Sequence, residues 1–213
     1  MVDQRNASPV DPVNTETATK DEIVEAAAEL FNKKGYAAVD LGEIADRIET
    51  DRETIERHFI TKAHLGAAWL DRVHSGSVRR HSQMLEDDRL PERKIRDYFG
   101  ELKPWLSRNK FLGCPFTAVG SRESLVCPQV AEVVEQHKEY VRLFLTQIAA
   151  QFLGDDAAGE RLGAALYLLY SGATTEAATL RSTEPVDSAL RVLDALLPHW
   201  KSTTGNLSTH SLP

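Results

Sequence analysis

The chain has 213 residues, 42% of them hydrophobic and 27% charged, which is the composition of a globular protein that can bury a substantial core. Its formal net charge of −7 argues against broad, nonspecific binding to nucleic acids or membrane surfaces. No apolar run approaches the roughly 20 residues that cross a bilayer and no signal region opens the chain, so we expect a cytoplasmic protein that does not enter membranes.

Polar segments at the two ends differ from the periodic sequence between them. Residues 1–18 contain proline and no aromatic side chain, and residues 201–213 are similarly polar. Such segments bury too little apolar surface to fold, so we predict a disordered N-terminal arm and a disordered tail. Long amphipathic segments dominate the rest of the chain, which indicates an all-α fold.

The first predicted helix has clear boundaries. Thr19 and Glu22 form a T-x-x-E capping box, in which each side chain accepts a hydrogen bond from a free backbone N–H at the helix start. Apolar residues recur at helical spacing from Ile23 to Phe31, and Gly35 can adopt the left-handed conformation that ends a helix.

Three further helix starts follow at short intervals. Asp40 predicts the second helix, Thr50 or Asp51 the third, and Thr61 a fourth that runs towards Leu85. Three short helices followed by a long one indicate a three-helix head on a larger body.

The body is predicted to consist of longer amphipathic helices. They span residues 91–109, 128–152, 157–180 and 185–200, with a short helix between residues 111 and 124. The helix at residues 157–180 contains LGAALYLLYSGA and is apolar on nearly all sides. Such a helix needs cover on more than one side, which favours a partner subunit.

Residues 44–62 read IADRIETDRETIERHFITK, which resembles the head of the TetR family of bacterial regulators, commonly I-A-x-x-A-G-V-S-x-G-T-L-Y-x-H-F-x-S-K. Seven positions agree in type and place: Ile44, Ala45, Thr54, Ile55, His58, Phe59 and Lys62. Gly35–Tyr36 is similar to a Gly-Tyr or Gly-Phe pair that the family has between helices one and two. Weaker likeness in the body, at residues 113–116 and 171–173, extends the resemblance over roughly residues 20–200.

The resemblance implies a helix-turn-helix head at residues 19–62 and a helical-bundle body at residues 63–200 that binds ligand and dimerises. A protein of this kind is a transcriptional regulator, commonly a repressor, that binds operator DNA as a homodimer and is released by a small-molecule effector. The residues implied for DNA binding are Thr50, Arg52, Glu53, Thr54, Arg57, His58 and Lys62. For the dimer interface, where the last two helices of both subunits pack together, they are Leu162, Leu166, Leu169, Ala173, Leu190, Leu193 and Leu197.

The head departs from the family pattern in its charge. Glu49 replaces the turn glycine, so a non-glycine residue has to accept a positive φ, and Glu56 replaces a tyrosine that commonly touches phosphate. Eleven acidic side chains outnumber seven basic ones in residues 20–62, although Arg52–Glu56 and Glu53–Arg57 have the i, i+4 spacing of surface ion pairs. Two interpretations stay open: a sequence-specific DNA binder, or a helical ligand-binding dimer with weakened or lost DNA binding.

Aromatic side chains concentrate in the body, where they form either plain core or the wall of a pocket. His137 interrupts the apolar stripe of its helix close to several tyrosines, which favours an apolar pocket with hydroxyl and imidazole donors for a small, largely apolar effector. The candidate ligand-binding residues are Trp69, Tyr98, Phe99, Trp105, Phe111, Phe116, His137, Tyr140, Phe144, Tyr167 and Tyr170.

The remaining reactive side chains indicate neither a catalytic site nor a metal site. Cys114 and Cys127 could form a redox switch, but no basic residue adjoins either, so two small buried thiols are the favoured interpretation. His74 and His81 share a helix face without a further ligand at helical spacing, and we predict that this face is solvated. The sequence has no nucleophile elbow, phosphate loop, zinc spacing or dinucleotide motif, so we expect neither an enzyme nor a bound cofactor.

Overall fold

A computed structural model describes residues 18–207, with side chains described as far as residue 202. Within that range the protein is built from α-helices and one short 3-10 helix, with no strand, which confirms the all-α prediction. Residues 1–17 of the predicted arm and residues 208–213 of the predicted tail lie outside the described range. In chain order the helices are α1 (Lys20–Lys34), the 3-10 helix (Tyr36–Ala38), α2 (Leu41–Arg47), α3 (Arg52–His58), α4 (Lys62–Glu86), α5 (Pro91–Gly100), α6 (Leu102–Arg108), α7 (Pro115–Glu123), α8 (Pro128–Leu153), α9 (Asp156–Leu180) and α10 (Glu184–Leu207).

Side-chain caps set the starts of the head helices. The Thr19–Glu22 capping box is present, with the Thr19 N–H donating to Glu22 at 2.7 Å. Asp40 caps α2 by accepting from a backbone N–H at 2.9 Å. Asp51, and not Thr50, caps α3, accepting from the Thr54 N–H at 2.6 Å. These helix starts are therefore determined by residues within four positions of them.

One predicted helix of the body is divided in two. The single helix expected at residues 91–109 breaks between Gly100 and Leu102 into α5 and α6. Pro104 explains the break, because it has no N–H to donate to the carbonyl of Gly100 and its ring crowds that carbonyl. On both sides of this turn the predicted segment is helical.

The long helices α8 and α9 pack at short range. A Cβ at Gly159 would lie 2.6 Å from the Ala150 Cα, and a Cβ at Gly163 would lie 2.5 Å from the Thr146 Cα. Because glycine has no side chain at these two positions, the two backbones can approach closely. Helices α4 and α5 also pack on α8, and α10 packs on α9 and α5.

Two apolar cores lie along the molecule, and α4 contributes to both. In the first, Phe31 and Ile55 of the head pack with Trp69 of α4 and Phe116 of α7. The second fills the bundle and includes Met84 near the other end of α4. The head is thus fixed to the body through shared packing. No helix within residues 18–207 has the length and apolar character needed to cross a membrane.

Candidate functional sites: the head helices and the body cavity

Helix α3 presents a charged outer face. Arg52, Glu53, Arg57 and His58 are exposed on it. Thr54, also expected at the DNA surface, is only 3% exposed, and its hydroxyl accepts a hydrogen bond from Arg57 at 2.7 Å. Thr54 therefore positions Arg57 and is not itself presented outward.

The turn before α3 contains the expected strained residue. Glu49 has φ of 53°, in the left-handed region that side chains other than glycine enter at a cost. The backbone beyond it is held by the Thr50 N–H, which donates to the Ala45 carbonyl at 3.0 Å. Thr50, predicted to bind DNA, is half-buried in this turn. The prediction of a positive φ at Glu49 is confirmed.

Ion pairs neutralise part of the acidic charge of the head. Arg52 contacts Glu56 at 2.7 Å, which confirms that predicted pair. The other predicted pair does not form, because Arg57 turns to Thr54 and Glu53 has no ion pair within the described residues. Three further acids of the head pair with basic side chains: Glu25 with Arg72, Glu29 with Arg47 and Glu43 with Lys34. Asp46, Glu49 and Glu53, beside the turn, form no ion pair within the described residues.

Lys62 lies between the head and the body. It occupies the first turn of α4 and its ammonium lies 4.3 Å from the centre of the Tyr36 ring. Burial lowers the pKa of Lys62, and the charges of Glu123 and Asp40 oppose that shift. This expected DNA ligand is therefore half-buried against an aromatic ring.

A cavity of about 1510 Å³ extends along α4 from the head into the body. Tyr36 and Lys62 line one part of it, and the body lines the rest. Six of the predicted ligand-binding residues belong to the wall, namely Trp69, Tyr98, Trp105, Phe116, His137 and Tyr170.

Five predicted pocket residues are not in that wall. Phe99 and Phe144 are no more than 1% exposed within the bundle core, and Phe111 packs against the same core. The Tyr140 hydroxyl donates to the Val78 carbonyl at 3.3 Å. Tyr167 instead lines a separate surface depression of about 520 Å³ formed with α8. Apolar periodicity identifies a buried face but does not distinguish core from cavity wall.

A buried histidine cluster lies between α4 and α8. The Nδ1 atoms of His74 and His137 are 3.2 Å apart, and His137 stacks on Phe116 with ring centres 3.5 Å apart. His81 stacks on Phe144 at 4.1 Å. Both His74 and His81 are less than 10% exposed, so the predicted solvated face is wrong. The face of α4 that carries them is covered by α8, which helical spacing within α4 does not reveal.

Burial disfavours the charged form of two of these histidines, His81 and His137. Desolvation, with the charges of Arg80 and His74, lowers the pKa of His81 to about 4. Desolvation also lowers the pKa of His137 to about 3, helped by the charges of His74 and His81. Among the described residues, no group of three or more His, Cys, Asp and Glu side chains is arranged to hold a metal ion.

Five of the residues predicted to form the dimer interface are buried within the single chain. Leu162, Leu166, Ala173, Leu193 and Leu197 are no more than 6% exposed inside the single chain, and Leu169 and Leu190 are half-buried. The first five side chains pack α9 and α10 onto their own bundle and are not free to meet a second subunit. Exposed apolar side chains on these helices are Leu168, Leu180, Val192 and Leu196.

The two cysteines form no disulfide. Cys127 is buried, as expected, whereas Cys114 is half-buried and lines the cavity. The predicted ligand-binding residues also omit polar residues of the cavity wall, among them Arg80 and Asn109. Neither lies in an apolar stripe, so periodicity carried no signal for them.

Residues 23–68, from α1 into α4, match the family model described as bacterial regulatory proteins, tetR family. The head of the chain is a TetR-family domain. The chain is 25% identical to the HTH-type transcriptional repressor DhaR from Mycobacterium sp. (strain GP1) over 199 residues. The aligned residues make up 92% of this chain and 98% of DhaR. The chain is 22% identical to the HTH-type transcriptional repressor NemR from Escherichia coli (strain K12), over 83% of this chain and 92% of NemR.

Solved structures of TetR-family proteins have the same fold. The TetR-family regulator SCO4454 from Streptomyces coelicolor is 22% identical with a TM-score of 0.72, over 85% of this chain and 95% of that chain. A TetR regulator from Legionella pneumophila is 20% identical with a TM-score of 0.69, over 88% of this chain and 99% of the other. The chain therefore combines a TetR-family head with the fold of TetR-family regulators, and its relatives DhaR and NemR are named as transcriptional repressors.

Proposed function

We propose that the protein is a ligand-responsive repressor that binds operator DNA as a homodimer and releases it when a small effector occupies the body cavity. The supporting observation is that a single cavity is lined by Tyr36 and Lys62 at the head and by His137 and Tyr170 in the body. A ligand that contacts both parts can have different affinities for two head positions. Such a difference in affinity is what couples a binding site to a second site.

DNA reading is assigned to the exposed face of α3. Arg52 and Arg57 can each make two hydrogen bonds to a guanine edge, and Glu53 can accept from the cytosine amino group. His58, exposed at the end of the helix, completes this face. The half-buried Thr50 and Lys62 lie at its two ends, and Thr54 supports Arg57 from beneath.

Helix α4 is the element that would transmit the effector signal. It begins at Lys62 beside the head, lines the cavity along its length and ends at Glu86 in the body. A dimer reads successive major grooves when its two recognition helices are about 34–36 Å apart. Effector binding would favour a tilt of α4 that changes this separation.

This scheme assigns different functions to the head and the body of the chain. Residues 19–62 would bind DNA, and residues 63–200 would bind the effector and a second subunit. We place the dimer interface on the outward faces of α9 and α10, where Leu168 and Leu196 are exposed. The dimer would cover apolar surface that the single chain leaves open.

A gel-shift titration with the DNA flanking the protein's own gene tests the DNA-binding part. We expect a retarded complex at low salt and about a fivefold gain in affinity for Glu56→Gln, because the substitution removes a charge near phosphate and frees Arg52. Glu139→Gln breaks a similar exposed pair with Arg142 on α8 and is the matched control, with no expected gain. The absence of any complex with that DNA, for the natural chain and for Glu56→Gln, would contradict DNA binding.

A helical ligand-binding dimer without DNA binding is the second candidate. It is favoured by Asp46, Glu49 and Glu53 beside the reading face, which have no ion pair in the part of the chain that the structure describes. The two candidates differ in salt dependence. A repressor that neutralises phosphates loses affinity steeply as salt rises, with a logarithmic slope of about −0.9 for each phosphate contact. A receptor without DNA binding gives no complex at any salt concentration.

A further inference from the structure

The wall of the cavity contains buried polar atoms that have no partner. Trp69 Nε1, His81 Nδ1 and Asn109 Oδ1 make no hydrogen bond within the described part of the chain. All three residues line the cavity, and the first two are only 3% and 9% exposed. Buried polar groups are normally hydrogen-bonded, so these atoms are available to an occupant of the cavity.

The charge of the wall is opposite in sign to that of the whole chain. Basic residues of the wall outnumber acidic ones by eight to four, although the chain carries a net charge of −7. Arg79, Arg80, Arg108 and Arg122 form no ion pair among the described residues. An anion in the cavity would therefore meet uncompensated positive charge.

Arg80 is the cation best placed to meet such an anion. It is exposed and donates to the Ser77 hydroxyl at 3.2 Å, and it donates to no carboxylate among residues 18–202. Arg80 is followed directly on α4 by the buried His81, and both residues line the cavity. Arg80 thus stands between solvent and the aromatic interior.

The rest of the wall suits a long apolar group. Phe116 and Tyr98 are buried side chains of the wall, and Trp69 continues the apolar surface towards the head. Trp69 and His81 are twelve residues apart on α4, which at 1.5 Å per residue separates them by about 18 Å. A ligand that reached both unpartnered nitrogens would be an elongated molecule.

We infer that the cavity binds an elongated amphipathic anion, a carboxylate with an alkyl or aryl body, whose charge pairs with Arg80. The apolar body would lie against Tyr98 and Phe116, and the unpartnered nitrogens of Trp69 and His81 would hydrogen-bond to polar substituents on that body. This inference deepens the proposed function, because it names the class of effector for the same cavity.

Isothermal titration of the full chain with three probes of equal chain length tests the inference. The probes are decanoate, uncharged decanamide and cationic decyltrimethylammonium, all below their micellar concentrations. We expect decanoate to bind at least about tenfold more tightly than decanamide, and the cation to bind most weakly. Equal affinities, tighter binding of the amide or the cation, or no binding of any probe would overturn the inference.

Variants assign the charge contact to one residue. Arg80→Gln should weaken decanoate about fivefold, as expected for a partly exposed ion pair, and leave decanamide unchanged. Arg93→Gln is the matched control, because Arg93 is 69% exposed on α5 and does not line the cavity. An unchanged decanoate affinity in Arg80→Gln, with native circular dichroism, would contradict the role of Arg80.

The operator assay separates this inference from the proposed function. If decanoate binds through Arg80 but leaves the operator complex intact, the ligand class stands and the effector mechanism fails. If decanamide displaces the operator as well as decanoate does and binds equally tightly, the mechanism stands and the ligand class fails.

Discussion

Glu49 is a non-glycine residue in a backbone conformation that favours glycine. Its φ of 53° lies in the left-handed region, where a Cβ approaches the following carbonyl oxygen at a cost of about 1–2 kcal/mol. The side chain also adds negative charge beside a surface that we assign to DNA. The natural residue therefore disfavours both the turn and the proposed binding.

We predict that Glu49→Gly raises the free energy of unfolding by about 1 kcal/mol, because glycine enters this region without the Cβ clash. Urea denaturation followed by circular dichroism measures the change. Glu135→Gly, at an exposed position inside α8, is the control of opposite sign and should lower stability by about 1 kcal/mol. Loss of stability in Glu49→Gly would show that the turn is not strained at this residue.

Single residues differ in how well the sequence defines them. The conformation of Glu49 was predictable because a family resemblance supplied the turn glycine that it replaces. The burial of Thr54 was not predictable, because its i, i+3 contact with Arg57 competes with an i, i+4 pair between Glu53 and Arg57. The choice between Thr50 and Asp51 as cap also depended on backbone geometry that composition does not provide.

The close contact between α8 and α9 requires glycine at positions 159 and 163. A Cβ on Gly163 would meet the backbone of Thr146, and backbone cannot move aside as the end of a flexible side chain can. We predict that Gly163→Ala lowers the free energy of unfolding by about 1–3 kcal/mol through this overpacking.

Denaturant titration of Gly163→Ala measures that loss, with Gly100→Ala as the control. No atom lies within 4 Å of a Cβ built at Gly100, at the end of α5, so its substitution should change stability little. An unchanged midpoint for Gly163→Ala would mean that α8 and α9 do not approach this closely at Gly163.

The interface between α4 and α8 should make stability depend on pH. Because His81 and His137 have folded-state pKa values of about 4 and about 3, the unfolded chain, with ordinary values near 6.5, takes up protons first as the pH falls. Stability is therefore lost below about pH 6.5, by up to about 1.4 kcal/mol per pH unit for each histidine, and is unaffected by them at higher pH.

Urea titrations at pH 7.5, 6 and 5 measure this dependence. In His81→Phe, which keeps a ring to stack on Phe144, we expect the loss between pH 6 and pH 5 to shrink by about 1 kcal/mol. Carboxylates contribute equally to the pH dependence of both proteins. The difference in stability loss between the natural chain and His81→Phe therefore measures the contribution of the His81 imidazole. The same slope in both proteins would contradict the predicted role of His81.

Helices were predictable where their determinants are local. Caps at Thr19, Asp40 and Thr61 define starts by contacts within three residues, and these starts appear where predicted. The break before α6 was missed because Pro104 acts on a carbonyl four residues earlier, inside an otherwise regular apolar stripe. The burial of His74 required knowledge of which helix covers that face, and this is tertiary information.

At the scale of the whole molecule, the same aromatic side chains pack the head onto α4 and line the cavity. Phe31 of α1 and Trp69 of α4 contact each other, with ring centres 5.1 Å apart, and both line the cavity. An occupant of the cavity therefore presses on the same aromatic contacts that hold the head. The sequence predicted a head, a body and a pocket, but not that the pocket reaches the head.

The second subunit is the remaining element of the proposed mechanism. Leu168 is 70% exposed on α9 and Leu196 is 40% exposed on α10, on faces that the single chain leaves uncovered. We predict that the double variant Leu168→Glu, Leu196→Glu weakens dimerisation more than about 100-fold, because burial of unpaired carboxylates costs at least about 3 kcal/mol. Sedimentation velocity over a range of concentrations measures the change, and operator affinity should fall with it because a single head spans one groove. Leu90→Glu, at a position 75% exposed at the start of α5, is the control and should remain dimeric. A double variant that still sediments as a dimer would move the interface away from α9 and α10.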